Sequence, residues 1–170
     1  MPRLLLLLLS VLLLPTGVLA AEMELSGLDR QSHRLSEYVG KGRWVVLNVW
    51  SPWCPPCRQE LPGLVDFHHG HRDSDAMVLG VAIDFPSFGY PDRDKVQGFV
   101  SRYRIDLPVL LADSSQVAEM TGQSLSLIPV SFIYAPDGRL VARWNGMINS
   151  TAIDRIMQDP KAGFAVYGGQ

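Results

Sequence analysis

A Trp-Cys-Pro-Pro-Cys stretch at residues 53–57 constrains the fold of this chain more than any other feature of its sequence. It contains the only two cysteines among 170 residues. The apolar, β-branched residues 44–50 come before it and predict a buried strand. A helix is predicted from Pro55 onward, because proline is favoured at the first helical position. The sequence therefore predicts a strand that turns directly into a helix, with both cysteines at the helix N-terminus.

This placement indicates the chemistry of Cys54 and Cys57. Unpaired backbone N–H groups and the positive end of the helix dipole stabilise an anion there, which favours the thiolate form of Cys54. Cys57 follows one turn later on the same face, within disulfide reach of Cys54. We expect Cys54 to attack a disulfide of a partner molecule and Cys57 to resolve the mixed disulfide.

A structural disulfide and a zinc site are the alternatives to redox chemistry. A bridge over two intervening residues closes almost no loop and stabilises a fold little. His68 and His71 follow the cysteines, but at spacings that miss the zinc-finger pattern. If residues 55–67 are helical, His68 lies about 20 Å from Cys54. Redox chemistry is favoured, no metal and no cofactor are expected, and His68, His69 and His71 are interpreted as a solvated helix end.

Residues 1–20 have the pattern of a secretory signal peptide, with a basic start, an apolar run over residues 4–14 and small residues before a cleavage point after Ala20. That run is about 16 Å long as a helix, against a hydrocarbon core of roughly 30 Å. Extended through Ala21 it just spans, so an uncleaved anchor is the alternative. Residues 21–170 then form a single domain.

The charge and the cysteine usage bound the function further. The formal net charge is −2 with no basic stripe, so nucleic-acid binding has no electrostatic support. Two cysteines in one tight pair, in an exported protein, suit an oxidising compartment in which disulfides are handled.

The order of predicted elements indicates an α/β protein. A parallel core leads into an antiparallel hairpin that turns at residues 136–138, and helices cover the sheet. Pro62 is expected to kink or weaken the helix that carries the cysteines. After that helix the predicted elements are strand 77–83, helix 92–103, strand 108–111, helix 113–121, strands 128–134 and 140–144, and helix 151–158.

Residues 45–62, which include the cysteine pair, resemble the active-site stretch of thioredoxin-fold proteins, and most of all the exported TlpA/ResA/DsbE-like branch. Ile128-Pro129 before an apolar strand resembles the cis-proline loop of that family, and residues 136–138 resemble its hairpin. The resemblance covers roughly residues 24–157. It implies a three-layer sandwich with a central mixed β-sheet flanked by helices.

The resemblance also implies roles for individual residues. Cys54 would be the exposed nucleophile, Cys57 the buried resolving thiol, and the two would form a redox-active disulfide. Pro129 would be cis, and a substrate peptide would pair beside it and Ile128 as an added strand. Apart from the resemblance, Trp53 beside Cys54 is expected to shield the disulfide and offer an apolar surface to partners, and simple packing is the alternative.

Four further positions bear on the tuning of the pair. Thioredoxin has a buried aspartate six residues before its first cysteine, but this chain has Asn48, and an amide cannot act as a base. A different carboxylate is then expected near the cysteines, and the branch that the sequence resembles often supplies a glutamate just after the second core strand. Asp84 is the nearest equivalent here, and an exposed aspartate at a strand end is the alternative. Pro55 and Pro56 carry no N–H to donate to the sulfur, so we expect the Cys54 thiolate to be less stabilised than in strong oxidants.

The functional expectation is an exported thiol:disulfide oxidoreductase of the bacterial periplasm. By analogy with the family it would reduce disulfides of partner proteins, in cytochrome c maturation or disulfide repair. A membrane thiol donor of the DsbD/CcdA type would recharge it, and an uncleaved N-terminal segment would tether it to the membrane. Oxidation or isomerisation of secreted proteins is the alternative, and a copper-delivery or thiol-binding module is a weaker one. A peroxidase is disfavoured because Thr-x-x-Cys is absent.

Overall fold

The computed structural model describes residues 23–160, which form seven strands and four α-helices. The strands are β1 (Glu24–Gly27), β2 (Ser32–Arg34), β3 (Trp44–Trp50), β4 (Ala76–Ala82), β5 (Val109–Leu111), β6 (Val130–Tyr134) and β7 (Leu140–Asn145). The helices are α1 (Pro55–His71), α2 (Arg93–Tyr103), α3 (Ser114–Thr121) and α4 (Ser150–Gln158), and a short 3-10 turn covers Leu35–Glu37.

One mixed sheet organises the molecule, in the strand order β2-β1-β5-β4-β3-β6-β7. Strand β3 lies at its centre, parallel to β4 and antiparallel to β6, and it pairs with both along nearly its whole length. The β6–β7 hairpin and the β1–β2 hairpin add antiparallel strands on either side. The C-terminal end of β3, which carries the cysteines, therefore lies in the middle of the sheet.

Alternate residues of β3 face two separate apolar layers, because side chains along a strand point to opposite faces in turn. Val45, Leu47 and Val49 pack with Val117 of α3 on one face. Val46 packs on the other face, against residues of α1 and α4. Helix α2 covers the same face as α1, since its Val96 shares a cluster with Leu61 and Trp50. The result is the expected three-layer α/β sandwich with a mixed sheet between helices.

Local signals explain the helix ends. Asp92 caps α2 by accepting hydrogen bonds from the backbone N–H groups of Asp94 and Lys95. Asp113 caps α3, which ends at Gly122 in the left-handed conformation that glycine tolerates. Helix α1 continues through Pro62 to His71, so the proline does not end it.

The expected signal peptide of residues 1–20 lies outside the described residues. No helix within residues 23–160 is both long and apolar enough to cross a membrane.

Candidate active site

The turn from β3 into α1 holds the two cysteines in one disulfide. Cys54 is the N-cap of α1 in an extended conformation, and Pro55 and Pro56 open the helix. The Cα atoms of Cys54 and Cys57 are 5.3 Å apart across the disulfide. The backbone N–H of Cys57 donates a hydrogen bond to Cys54 Sγ over 3.3 Å. The structure thus confirms the predicted strand, turn and helix, and it shows that one backbone N–H does reach the sulfur.

The burial of Cys54 differs from the expectation of an exposed nucleophile. Cys54 is only 1 % exposed and Cys57 is fully buried. Both belong to an apolar cluster with Trp50 and Leu61, against which Phe85 and Ile128 pack. In the disulfide form, a partner therefore has to reach Cys54 along the surface beside it rather than meet a protruding sulfur.

The loop before β6 lies against the disulfide. The Ile128–Pro129 peptide bond is cis, as the resemblance implied. The carbonyl oxygen of Ile128 lies 3.9 Å from Cys54 Sγ, and the carbonyl of Pro129 accepts a hydrogen bond from the N–H of Gly146. Trp53 is 54 % exposed and directly precedes Cys54. The structure therefore brings the cis-proline loop and the reactive sulfur together, with an apolar ring exposed next to them.

A buried carboxylate, Glu60, lies on α1 three residues after Cys57. Residues three apart on a helix are neighbours, with Cβ atoms about 5–6 Å apart. The Asn48 amide donates to Glu60 Oε1 over 2.9 Å, and the backbone N–H of Ile148 donates to Oε2 over 2.8 Å. The same Asn48 amide group also donates to Ser131 Oγ over 3.0 Å. These contacts fix the Glu60 carboxylate on the face of α1 that carries Cys57.

Burial sets the protonation of this group. Desolvation raises the pKa of Glu60 from its ordinary 4.5 to about 7, and the hydrogen bonds from Ile148 and Asn48 act in the opposite direction. A carboxyl group with a pKa near neutrality can both accept and return a proton at physiological pH. Glu60 is therefore suited to accept the proton of the Cys57 thiol and to return it.

The sequence predicted a carboxylate near the pair at Asp84, whereas the structure places Glu60 on the helix that carries the cysteines. Asp84 is half-buried in the loop after β4, and its carboxylate accepts a hydrogen bond from Ser87 of the same loop. A tuning role for Asp84 stays a prediction. The signal for Glu60 was available, because position 60 is one turn beyond Cys57 on the predicted helix. Its burial was the missing information, since glutamate is seldom found inside a protein.

The histidines of α1 are only partly the solvated helix end that was expected. His69 and His71 are paired with Asp106 and Asp75 near the surface. His68 is 5 % exposed, so the expectation for it was wrong. Its Nδ1 accepts a hydrogen bond from the backbone N–H of Val78 and holds α1 on β4. Within residues 23–160 there is no group of three or more potential ligands that could hold a metal ion.

Comparison with known proteins agrees with this geometry. Residues 16–143 match the AhpC/TSA family. The thiol-disulfide oxidoreductase ResA of Geobacillus kaustophilus is 26 % identical over 145 residues, which cover 85 % of this chain and 78 % of the relative. The exposed lipoprotein thioredoxin Etrx1 of Streptococcus pneumoniae superposes with a TM-score of 0.67 at 26 % identity, over 82 % of this chain and 99 % of that one. A DsbF homologue from Corynebacterium diphtheriae gives a TM-score of 0.68 at 24 % identity, over 81 % and 83 % of the two chains.

A thioredoxin-like sandwich with a disulfide at the start of its central helix defines a thiol-disulfide oxidoreductase. The match covers more than half of the sequence, and the chain belongs to the AhpC/TSA family. Within it, the similarity to ResA agrees with the branch that the sequence resembles, and the DsbF homologue agrees with the fold.

Proposed function

We propose that this protein is an exported thiol:disulfide oxidoreductase that uses its Cys-Pro-Pro-Cys site to reduce disulfides of partner proteins. The environment of Cys54 Sγ carries the proposed direction. Pro55 and Pro56 have no N–H to donate, so the N–H of Cys57, at 3.3 Å, is the backbone donor at this sulfur. A thiolate that accepts few hydrogen bonds is poorly stabilised, so it is a poor leaving group and its dithiol form is a good reductant. In strong oxidants the thiolate is instead well stabilised.

The reaction proceeds by two exchanges at sulfur. The Cys54 thiolate attacks one sulfur of the partner disulfide, and the other partner sulfur leaves as a thiolate. Glu60 then takes the proton of Cys57, and the Cys57 thiolate attacks Cys54 Sγ and releases the second partner thiol. The partner gains two electrons and becomes a dithiol, while the protein gains the Cys54–Cys57 disulfide seen in the structure.

The surface around Cys54 supports binding of an extended partner segment. The backbone at Ile128 and Pro129 lies beside the sulfur, where an added strand would pair. Trp53 offers an exposed apolar ring to the same segment. We assign Trp53, Ile128 and Pro129 to substrate binding on this ground.

The physiological setting that we propose is inferred from what the names of similar proteins say. ResA is named a thiol-disulfide oxidoreductase, and Etrx1 is described as an exposed lipoprotein thioredoxin. The signal peptide or membrane anchor that is expected in residues 1–20 agrees with a protein that acts in the periplasm. Cytochrome c maturation or disulfide repair, with recharging by a membrane thiol donor of the DsbD/CcdA type, is the role that fits a reductant there.

The reduction potential of the Cys54–Cys57 pair tests the direction. The protein is equilibrated with dithiothreitol or glutathione buffers, and its free thiols are trapped and counted. We expect a value of about −250 mV or lower, the range of thioredoxin-like reductants. A value of about −120 mV, typical of strong oxidants, would replace this proposal with oxidation or isomerisation of secreted proteins.

A further inference from the structure

A groove next to the cysteines runs between α1 and α2. Its volume is about 510 Å³, and apolar side chains such as Pro55 and Phe99 make up most of its lining. Pro55 directly follows Cys54 in the chain, and Arg58, another lining residue, directly follows Cys57. One end of the groove therefore begins at the residues that directly follow the two buried cysteines. The cavity is of the size that binds side chains or small molecules.

Positive charge lies on both walls of this groove. Arg58 of α1 lies over the rings of Phe99 and Tyr103, with its guanidinium carbon 5.8 and 5.5 Å from their centroids. It donates a hydrogen bond to the Tyr103 hydroxyl over 3.2 Å. Arg104 lines the opposite wall, at the end of α2. The rings hold the Arg58 side chain in place, so its charge is presented in a fixed position.

Neither arginine is neutralised by a carboxylate within residues 23–160. Other arginines of that range do have such partners, as in the Arg34–Glu24 and Arg139–Asp137 pairs. Asp66 is the acidic residue among those that line the groove, so two cations face one anion. A groove with apolar walls and excess positive charge is complementary to a segment with both apolar and acidic side chains.

We propose that this groove binds the part of a substrate protein next to its reactive cysteine, and that it selects segments with an acidic side chain beside an apolar one. The inference rests on the proposed disulfide exchange with partner proteins. The groove follows α1 from Pro55 to Asp66, about 16 Å at ~1.5 Å per residue. About five residues of extended chain cover that length. The selected residues would lie roughly two to six positions from the substrate cysteine.

Peptide substrates test this selection. Each ten-residue peptide carries one cysteine as a mixed disulfide with glutathione, and four positions away it carries Glu-Leu, Gln-Leu or Lys-Leu. The Cys54 thiolate attacks the peptide sulfur, glutathione leaves as a thiolate, and Cys57 then releases the peptide thiol. Rates are measured by trapping free thiols. We expect the Glu-Leu peptide to react roughly fivefold faster than the Gln-Leu peptide, and the Lys-Leu peptide to be the slowest.

Charge-removing variants locate the effect. Arg104→Gln is the main variant, because position 104 is remote in sequence from both cysteines, and Arg58→Gln is the second. In each, the ratio of the Glu-Leu rate to the Gln-Leu rate is expected to fall towards one. Lys41→Gln is the matched control, since it removes one positive charge near the start of β3, the end of that strand remote from the cysteines. It should leave the ratio unchanged. In the unaltered protein, 0.5 M salt should also reduce the ratio.

The possible results separate this inference from the proposed function. Exchange at equal rates with all three peptides, or a ratio that Arg104→Gln leaves unchanged, would refute the groove and leave disulfide exchange standing. No exchange with any peptide would overturn both. Self-association that Arg104→Gln abolishes would make the groove a contact between two copies of the chain and would refute the inference as well.

Discussion

Replacement of Glu60 by glutamine gives a quantitative test of the buried carboxylate. Glu60 is 6 % exposed and accepts hydrogen bonds from Asn48 and Ile148. Burial raises its pKa from 4.5 to about 7. Between these two values the folded protein keeps a proton that the unfolded chain releases, so the free energy of unfolding falls as pH rises. Glutamine has nearly the same volume and does not titrate, so this loss should disappear in Glu60→Gln.

The size of the effect follows from the pKa. Each pH unit in the window from 4.5 to about 7 lowers the free energy of unfolding by about 1.4 kcal/mol, which amounts to about 3 kcal/mol at pH 8. Glutamine also replaces one oxygen by an NH₂ group. Asn48 Oδ1, which is buried and has no hydrogen-bond partner within residues 23–160, can accept from that group if the Asn48 amide turns over. Any remaining hydrogen-bond cost, about 1 kcal/mol, is the same at both pH values.

Urea unfolding of the oxidised protein at pH 4.5 and pH 8 measures this prediction. The difference in free energy of unfolding between Glu60→Gln and the unaltered protein should rise by about 3 kcal/mol, in favour of the variant, from pH 4.5 to pH 8. Glu119→Gln, which replaces an exposed carboxylate of α3, is the matched control and should show little change of this kind. A pH-dependent gain below about 1 kcal/mol for Glu60→Gln would show that Glu60 titrates as an ordinary surface glutamate, and the proton-transfer role would lose its basis.

Three other substitutions test neighbouring features. Asn48→Ala removes a hydrogen bond that lowers the pKa of Glu60, so the pH midpoint of disulfide exchange should move upward; an unchanged midpoint would separate Glu60 from the reaction. His68 has its pKa lowered, chiefly by burial, so stability should be lost as pH falls below about 6.5. His68→Asn keeps an acceptor for the Val78 N–H, so its free energy of unfolding in urea should fall less between pH 7.5 and 5 than that of the unaltered protein; an equal fall in both would contradict this. Trp53→Ala should leave unfolding nearly unchanged because the ring is 54 % exposed, but should slow exchange with peptides severalfold more than exchange with dithiothreitol.

The order of helices and strands could be predicted from the sequence because the signals for it are local. The β-branched run of residues 44–50 coincides with β3, and the Asp92 cap and Gly122 end were visible as residue types. The strand order within the sheet rests on pairing between distant residues, and no local pattern reports it. Helix α1 continues through Pro62 to His71, with Leu61 and Leu64 buried around the proline, and a kink or weak point at Pro62 stays a prediction.

The residues of the candidate site also differ in how far the sequence could predict them. The cysteine pair was predictable from residue type and spacing, and the cis-proline loop was predictable only through the family resemblance. The burial of Cys54, Glu60 and His68 was not, because it depends on which elements cover α1. Glu60 is buried where the loop before α4 supplies the Ile148 N–H, and His68 is buried where β4 supplies the Val78 N–H. A polar side chain is stable inside a protein only if such partners exist, and the sequence does not show where they will lie.

Asn48 explains how the site can work with an amide where thioredoxin has a carboxylate. It cannot accept the Cys57 proton, but it donates both to Glu60 on α1 and to Ser131 on β6. The backbone from Gly146 to Ile148 makes a second connection, because Gly146 donates to the Pro129 carbonyl and Ile148 donates to Glu60. A partner segment that pairs beside Pro129 would therefore act on the same backbone that donates to Glu60, the residue that we propose as the proton acceptor. Substrate binding and proton transfer would then be coupled through these hydrogen bonds, and a change at Asn48 should affect both.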